Sequence, residues 1–202
     1  MRIIGLTGGS GCGKSTAGMT FAECGIPVFS ADDIYREITS SETPCCIELK
    51  AEFGDVLDEN GALDRKRLFE LVFYGDGSKE RVLRLNSITH KYVIEEFDNR
   101  AKALDGKCDF VVFDAPLLIE CGYNKKCDAV VSVLSDREIR ISRLMRRDSL
   151  DRDAICARLN AQKKDIFYIS SSDYIIYNNG DADTFGERIR LVIEKIKGRF
   201  GK

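Results

Sequence analysis

The chain has 202 residues, with 31 basic and 33 acidic side chains, a formal net charge of -2, and 44% hydrophobic and 32% charged content. That length suits one domain with at most a small insertion or lid, and it buries enough surface to fold without a structural metal or disulfide. The two charge signs are mixed along the chain, which argues against a nucleic-acid track or an acidic-membrane anchor and leaves local arginine pockets as the only strongly cationic sites.

The first predicted element is an apolar strand over 2–7. It is too short for a signal peptide or a membrane span, so a cytoplasmic protein is expected. The strand runs into Gly8-Gly9-Ser10-Gly11-Cys12-Gly13-Lys14-Ser15, a full match to G-x-x-x-x-G-K-[ST], and a helix over 14–24 follows. Glycines at this spacing let successive N–H groups turn inward onto phosphates, and the helix adds its positive N-terminal dipole. Gly9, Gly11, Cys12 and Gly13 would line that cradle, Lys14 would reach the β- and γ-phosphates of ATP, and the Ser15 hydroxyl would bind magnesium. Cys12 has two readings: a thiolate activated by Lys14 and the helix N-terminus, or a small residue that merely fits.

A second strand over 27–30 leads into Ala31-Asp32-Asp33 at the same sheet edge as the loop. A carboxylate there either takes the proton from an attacking hydroxyl or caps the helix predicted over 34–39. The region 39–104 is helical by pattern and lacks a strand, which predicts an inserted helical subdomain. Its long helix over 79–104 is marked by Val82, Leu85, Ile88, Val93, Phe97, Ala101 and Leu104, with Gly106 placed to end it. The only histidine, His90, lies on this helix, either as a partly buried structural residue or as a substrate contact.

The third strand, 108–114, ends on Asp114, the position of a Walker B carboxylate or of a plain strand-end turn residue. Ala115-Pro116-Leu117 follows instead of a GTPase switch, and Asn124-Lys125-Lys126-Cys127 has cysteine where a guanine-reading carboxylate belongs, which argues against a GTPase. After a strand over 129–134, a helix over 136–147 carries Arg137, Arg140, Arg143 and Arg147 in one stripe opposite Ile141, Leu144 and Met145. The stripe is either a solvated face or a set of guanidinium groups for phosphoryl charge, with Arg143 and Arg147 the candidates. This helix and the next, 151–162, make a candidate lid over 136–162; a strand over 174–177 and a helix over 183–197 complete the chain. The alternation predicts an α/β fold, a P-loop-type parallel sheet covered by helices on both faces, in a single domain. The eight cysteines contain no C-x-x-C pair or zinc-ligand spacing and read as free thiols.

Taken together these motifs resemble the dephospho-CoA kinase family over nearly the whole chain. The resemblance is carried by Gly5 through Thr16, Ala31-Asp32, Leu63-Asp64-Arg65, Pro116-Leu117-Leu118-Ile119-Glu120, Arg143 with Arg147, Arg158 with Gln162, and Asp173 through Asn178-Asn179-Gly180. It implies transfer of a phosphate from ATP to the ribose 3′-hydroxyl of dephospho-CoA, the last step of coenzyme A synthesis, with Mg²⁺ as cofactor. It further implies that Asp32 is the catalytic carboxylate beside Lys14 and Arg143. Thr16, Arg143, Arg147 and Asn178 would then join the loop in binding ATP, and Arg65, His90, Asp114, Leu117 and Glu120 would help hold the acceptor. Two departures stand out: Ser30 replaces the first aspartate of the family's Asp-Ala-Asp element, and Lys91 stands where a proline usually follows the histidine. Another small-molecule or nucleoside monophosphate kinase is the main alternative, and a regulatory ATPase a more distant one. Nothing in the sequence specifies an oligomeric state, and the expected partners are the two small substrates, with no nucleic acid and no membrane.

Overall fold

Five short strands, Arg2–Thr7 (β1), Val28–Ser30 (β2), Phe110–Asp114 (β3), Ala129–Leu134 (β4) and Tyr174–Tyr177 (β5), form one sheet in the order β2-β3-β1-β4-β5 in the computed structural model, which describes residues 1–201. The pairings of β1 with β3, β1 with β4 and β4 with β5 are parallel. Every residue of β3 and β4 is buried, which is why these strands read as unbroken apolar runs and not as an alternating pattern. The helices are Lys14–Glu23 (α1), Ala31–Ile38 (α2), Pro44–Phe53 (α3), Arg65–Phe73 (α4), Ser78–Ala103 (α5), Arg137–Asp148 (α6), Arg152–Asn160 (α7), Asp165–Ile169 (α8) and Ala182–Phe200 (α9).

The chain divides into two compact units, Met1–Phe29 with the chain from Leu104 onward, and Ser30–Ala103. In the first unit Ile4, Leu6, Val112, Val131 and Val133 of the sheet pack with Phe21 of α1 and Phe185, Ile189, Ile193 and Ile196 of α9. The α9 residues recur at steps of three and four, so one stripe faces the sheet. Elsewhere in this unit Phe113 meets Tyr123 edge to face at 5.1 Å.

In the second unit Cys45, Cys46 and Leu49 of α3, Leu68 and Val72 of α4 and Ile88 of α5 enclose a core of their own with Val56 and Leu63. Separate helices form here because start signals interrupt the pattern. Thr43 caps α3 with Pro44 in its first turn, and Asp64 caps α4. An isolated antiparallel bridge, Leu57 to Leu63, closes the segment between them. Helix α5 continues through Lys91, where a proline would remove an N–H and clash with the preceding turn. Lys91 Nζ and the Tyr92 hydroxyl both donate to Glu48 Oε2, at 2.7 and 2.6 Å, tying α5 to α3.

The helix expected over 34–39 starts earlier, at Ala31. Helix α8 was not anticipated; with five residues it is too short to show a period.

Candidate active site

Strand register assembles one edge of the first unit. Leu6 lies opposite Asp114, and Leu134 opposite Tyr177, so the loop after β1, Asp114, Ser135 and Asn178 all leave the sheet together. This is the carboxyl edge, where parallel α/β sheets bind ligands.

The glycine-rich loop is held from outside by side chains distant in sequence. The Ser10 carbonyl accepts from Arg140 Nε at 2.8 Å, the Gly11 carbonyl from Arg143 Nη1 at 3.4 Å, and the Cys12 carbonyl from Asn178 Nδ2 at 2.9 Å. Arg143 also donates to Asn178 Oδ1 at 3.1 Å. Gly13 begins α1 with φ at 98°, a left-handed conformation that costs glycine little.

Helices α2, α3, α4, α7 and α9 each take a side-chain cap, from Ser30, Thr43, Asp64, Asp151 and Asp181. Helix α1 takes none and carries no acid in its first turn. Its leading N–H groups and its positive dipole end therefore face no side-chain anion of their own helix. Ser15 and Thr16 in that turn are exposed. The Lys14 ammonium forms an ion pair with Asp114, the two side chains being 13% and 8% exposed.

Cys12 lies at the back of the loop, 1% exposed. Burial pushes its thiol up, outweighing the backbone hydrogen bond at Lys14 and the charges of Arg140 and Lys14. This corrects the activated-thiolate reading: a charge is costly to create without solvent. All eight cysteines are free, and burial drives Cys127 to about 12.

The other candidates of this unit fall in different settings. Arg147 pairs with Asp148, which also receives Arg158 at 2.8 Å. Leu117 is exposed, whereas its neighbour Leu118 is fully buried and fills the space that a side chain on Gly5 would need. Burial raises the Glu120 carboxyl, with its own backbone hydrogen bond and Lys163 acting in the opposite sense.

In the second unit, Ser30 Oγ accepts from the Asp33 N–H and caps α2. Neither aspartate is the cap, and serine does at this position what aspartate would do equally well. Asp33 is bound by Arg36 at 2.8 Å. Asp32 is exposed, and among the described residues no side chain is paired with its carboxylate. Arg65 donates to Thr39 Oγ1 at 3.4 Å and lies over the Tyr35 ring at 5.7 Å. Burial lowers His90, so its ring is neutral near pH 7.

Among the described residues no group of three or more histidines, cysteines or carboxylates is arranged to hold a metal. The donors near the loop are hard oxygens, the Ser15 hydroxyl and the Asp114 carboxylate. That set suits Mg²⁺, which takes one or two protein oxygens and completes its shell with phosphates and water. No helix among the described residues is long and apolar enough to cross a membrane.

Arg140 was one of four arginines in the helical stripe, with no sign in the sequence that it would reach the loop. The fork it makes with Gln162 joins residues 22 apart, beyond what helical spacing reports.

A family model described as dephospho-CoA kinase matches residues 2–184. The dephospho-CoA kinase of Fusobacterium nucleatum is 35% identical over 195 residues, covering 96% of this chain and 98% of that one. A solved dephospho-CoA kinase from Campylobacter jejuni is 27% identical with a TM-score of 0.72, over 98% of both chains. Shikimate kinase from Acinetobacter baumannii shares the fold at a TM-score of 0.53 and 18% identity, over 100% of this chain and 96% of that one.

Proposed function

The chain belongs to the dephospho-CoA kinase family, and on that premise we propose that it transfers the γ-phosphate of ATP to the ribose 3′-hydroxyl of dephospho-CoA, giving coenzyme A and ADP. The observation that carries the ATP half is the uncapped start of α1 behind a full phosphate-loop sequence, with Lys14 beside it. Gly9, Gly11, Cys12 and Gly13 supply the loop backbone, with Ser15 and Thr16 at the head of the helix. Lys14 exchanges Asp114 for the phosphates and stays with them as charge moves toward the leaving oxygen. Arg143 and Arg147 neutralise the equatorial oxygens, Arg147 exchanging Asp148 for them as Lys14 exchanges Asp114, and Asn178 borders the nucleotide. Ser15 would hold Mg²⁺, which when bound would supply positive charge to offset that of the phosphates.

On the acceptor side Asp32 orients the hydroxyl and takes its proton, a role supported by a carboxylate committed neither to a cap nor to an ion pair. Arg65, His90, Asp114, Leu117 and Glu120 are the candidate acceptor contacts: a cation for phosphate, a neutral imidazole and carboxyls for hydroxyls, and an exposed leucine for apolar surface. The domain reading is a single P-loop kinase with a helical insertion over 39–104 and a lid over 136–162.

The test is ADP release from ATP and Mg²⁺ with each of four acceptors. Stimulation by dephospho-CoA, and none by AMP, CMP or shikimate, is expected. Equal or greater stimulation by another acceptor would overturn the assignment.

A further inference from the structure

Among the arginines of α6, Arg140 holds no role in the scheme above. Its side chain is only 12% exposed. It reaches two acceptors at once, donating from Nε to the Ser10 carbonyl at 2.8 Å and from Nη2 to Gln162 Oε1 at 2.7 Å. Gln162 completes the grip: Oε1 also accepts from the Ser10 N–H at 3.1 Å, and Nε2 donates to Ser10 Oγ at 2.7 Å. The N–H, the carbonyl and the hydroxyl of this one loop residue are thus all held by two side chains.

Planarity gives the grip a consequence. In a trans peptide the C=O of one residue and the N–H of the next point in opposite directions. Drawing the Ser10 carbonyl toward Arg140 therefore turns the Gly11 N–H the other way, and the bond from Asn178 to the Cys12 carbonyl does the same for the Gly13 N–H. The intervening Cys12 N–H instead closes a turn on the Gly9 carbonyl at 3.3 Å.

Gly9 supplies independent support. Its φ is not among the positive ones, so the backbone does not demand glycine there. A Cβ on Gly9 would lie 2.6 Å from Arg140 Nη2 and 3.1 Å from Gln162 Oε1. The missing side chain makes room for the grip.

We propose that Arg140 and Gln162 are positioning residues for the phosphate-binding loop: by holding Ser10 they keep its carbonyl away from the nucleotide's phosphates and present the Gly11 N–H to them, which sets nucleotide affinity. The inference rests on the loop being the ATP site. A backbone N–H that has lost its orientation costs about one charged hydrogen bond, or about tenfold in binding.

The experiment compares wild type with Arg140→Ala, Arg140→Lys, Gln162→Ala and the Arg140→Ala/Gln162→Ala double variant. Calorimetric affinity for Mg·ADP, steady-state KM for ATP and for dephospho-CoA, kcat and melting temperature are measured for each. Both alanine variants are expected to weaken ADP binding and raise KM for ATP about tenfold, with kcat and KM for dephospho-CoA within about twofold of wild type. The double variant should lose little more than the worse single one, because both side chains act on the same residue. Lysine should recover little, since one ammonium does not reproduce the planar fork.

Wild-type ADP affinity in a folded Arg140→Ala variant would overturn the proposal, and so would additive losses in the double variant. A fall in kcat of about 10³ with ADP affinity retained would also overturn it, marking Arg140 as a direct transition-state clamp. A wild-type protein that binds no ADP would remove the ATP-site reading itself, and this inference with it.

Discussion

Asp32→Asn is expected to leave the fold intact and to lower turnover with dephospho-CoA by about 10²–10⁴, equivalent to about 3–5 kcal/mol of barrier, the lower end suiting a loose phosphoryl transition state. The structural cost is small for definite reasons. Ser30, not Asp32, caps α2, and Asp32 is exposed without an ion-pair partner. Losing one anion from the first turn of a helix removes about 0.3–1 kcal/mol of dipole interaction, or a few degrees of melting temperature at most in a chain of this size. Asp33→Asn is the control. It loses the same dipole interaction and also the pair with Arg36, whose side chains are 63% and 62% exposed. Such exposed pairs contribute about 0.2–1 kcal/mol. The two variants should therefore rank oppositely: Asp33→Asn the less stable and still active, Asp32→Asn the more stable and nearly inactive. Melting curves, ADP affinity and initial rates with dephospho-CoA read all three quantities. Equal and mild losses of rate would refute the argument that a carboxylate at this turn serves as the base. A severe loss confined to Asp33→Asn would show that the committed carboxylate, and not the uncommitted one, does the chemistry.

Lys14→Ala should lower turnover by about 10³ or more and also destabilise the fold by up to about 3–5 kcal/mol, because it strips the ammonium from the nearly buried Asp114. Adding Asp114→Asn should restore melting temperature but not rate, and near-normal turnover in either folded variant would contradict the loop assignment. Iodoacetamide labelling of the native protein followed by peptide mapping should find Cys12 among the slowest of the eight cysteines, with the more accessible Cys24 and Cys156 ahead of it; early modification of Cys12 would reverse the correction made above. His90 is the only histidine, so one imidazole resonance reports it. Its NMR titration midpoint should fall below 6.5, since burial lowers it. The unfolded chain then binds the proton more tightly, so His90 costs stability as pH drops through 6.5 toward its folded midpoint and has no effect well above 6.5. A midpoint at or above 6.5, or no change in the pH slope of stability in His90→Gln, would count against a half-buried neutral ring.

The ends of β1, β4 and β5 were legible from sequence because each is a short apolar run followed by a turn residue, Gly8, Ser135 or Asn178, and such signals are local. The phosphate loop was legible for the same reason: eight consecutive residues carry both its glycines and its lysine, and a strand and a helix flank it. The resemblance to a family likewise rested on short segments such as Pro116 to Glu120. The sheet order β2-β3-β1-β4-β5 was not legible, since periodicity within a strand says nothing about its neighbour. That order, with its register, sets Asp114 against Lys14 and Asn178 against Cys12. Tertiary structure also decided three choices that the sequence left open. It made Ser30 the cap of α2, leaving Asp32 uncommitted; it buried Cys12, reversing the effect expected from neighbouring charge; and it singled out Arg140 and Arg143 of α6 to hold the loop while Arg147 turned to Asp148. Helical spacing determines which side chains share a face, but burial and hydrogen-bond partners depend on what the rest of the chain brings to that face.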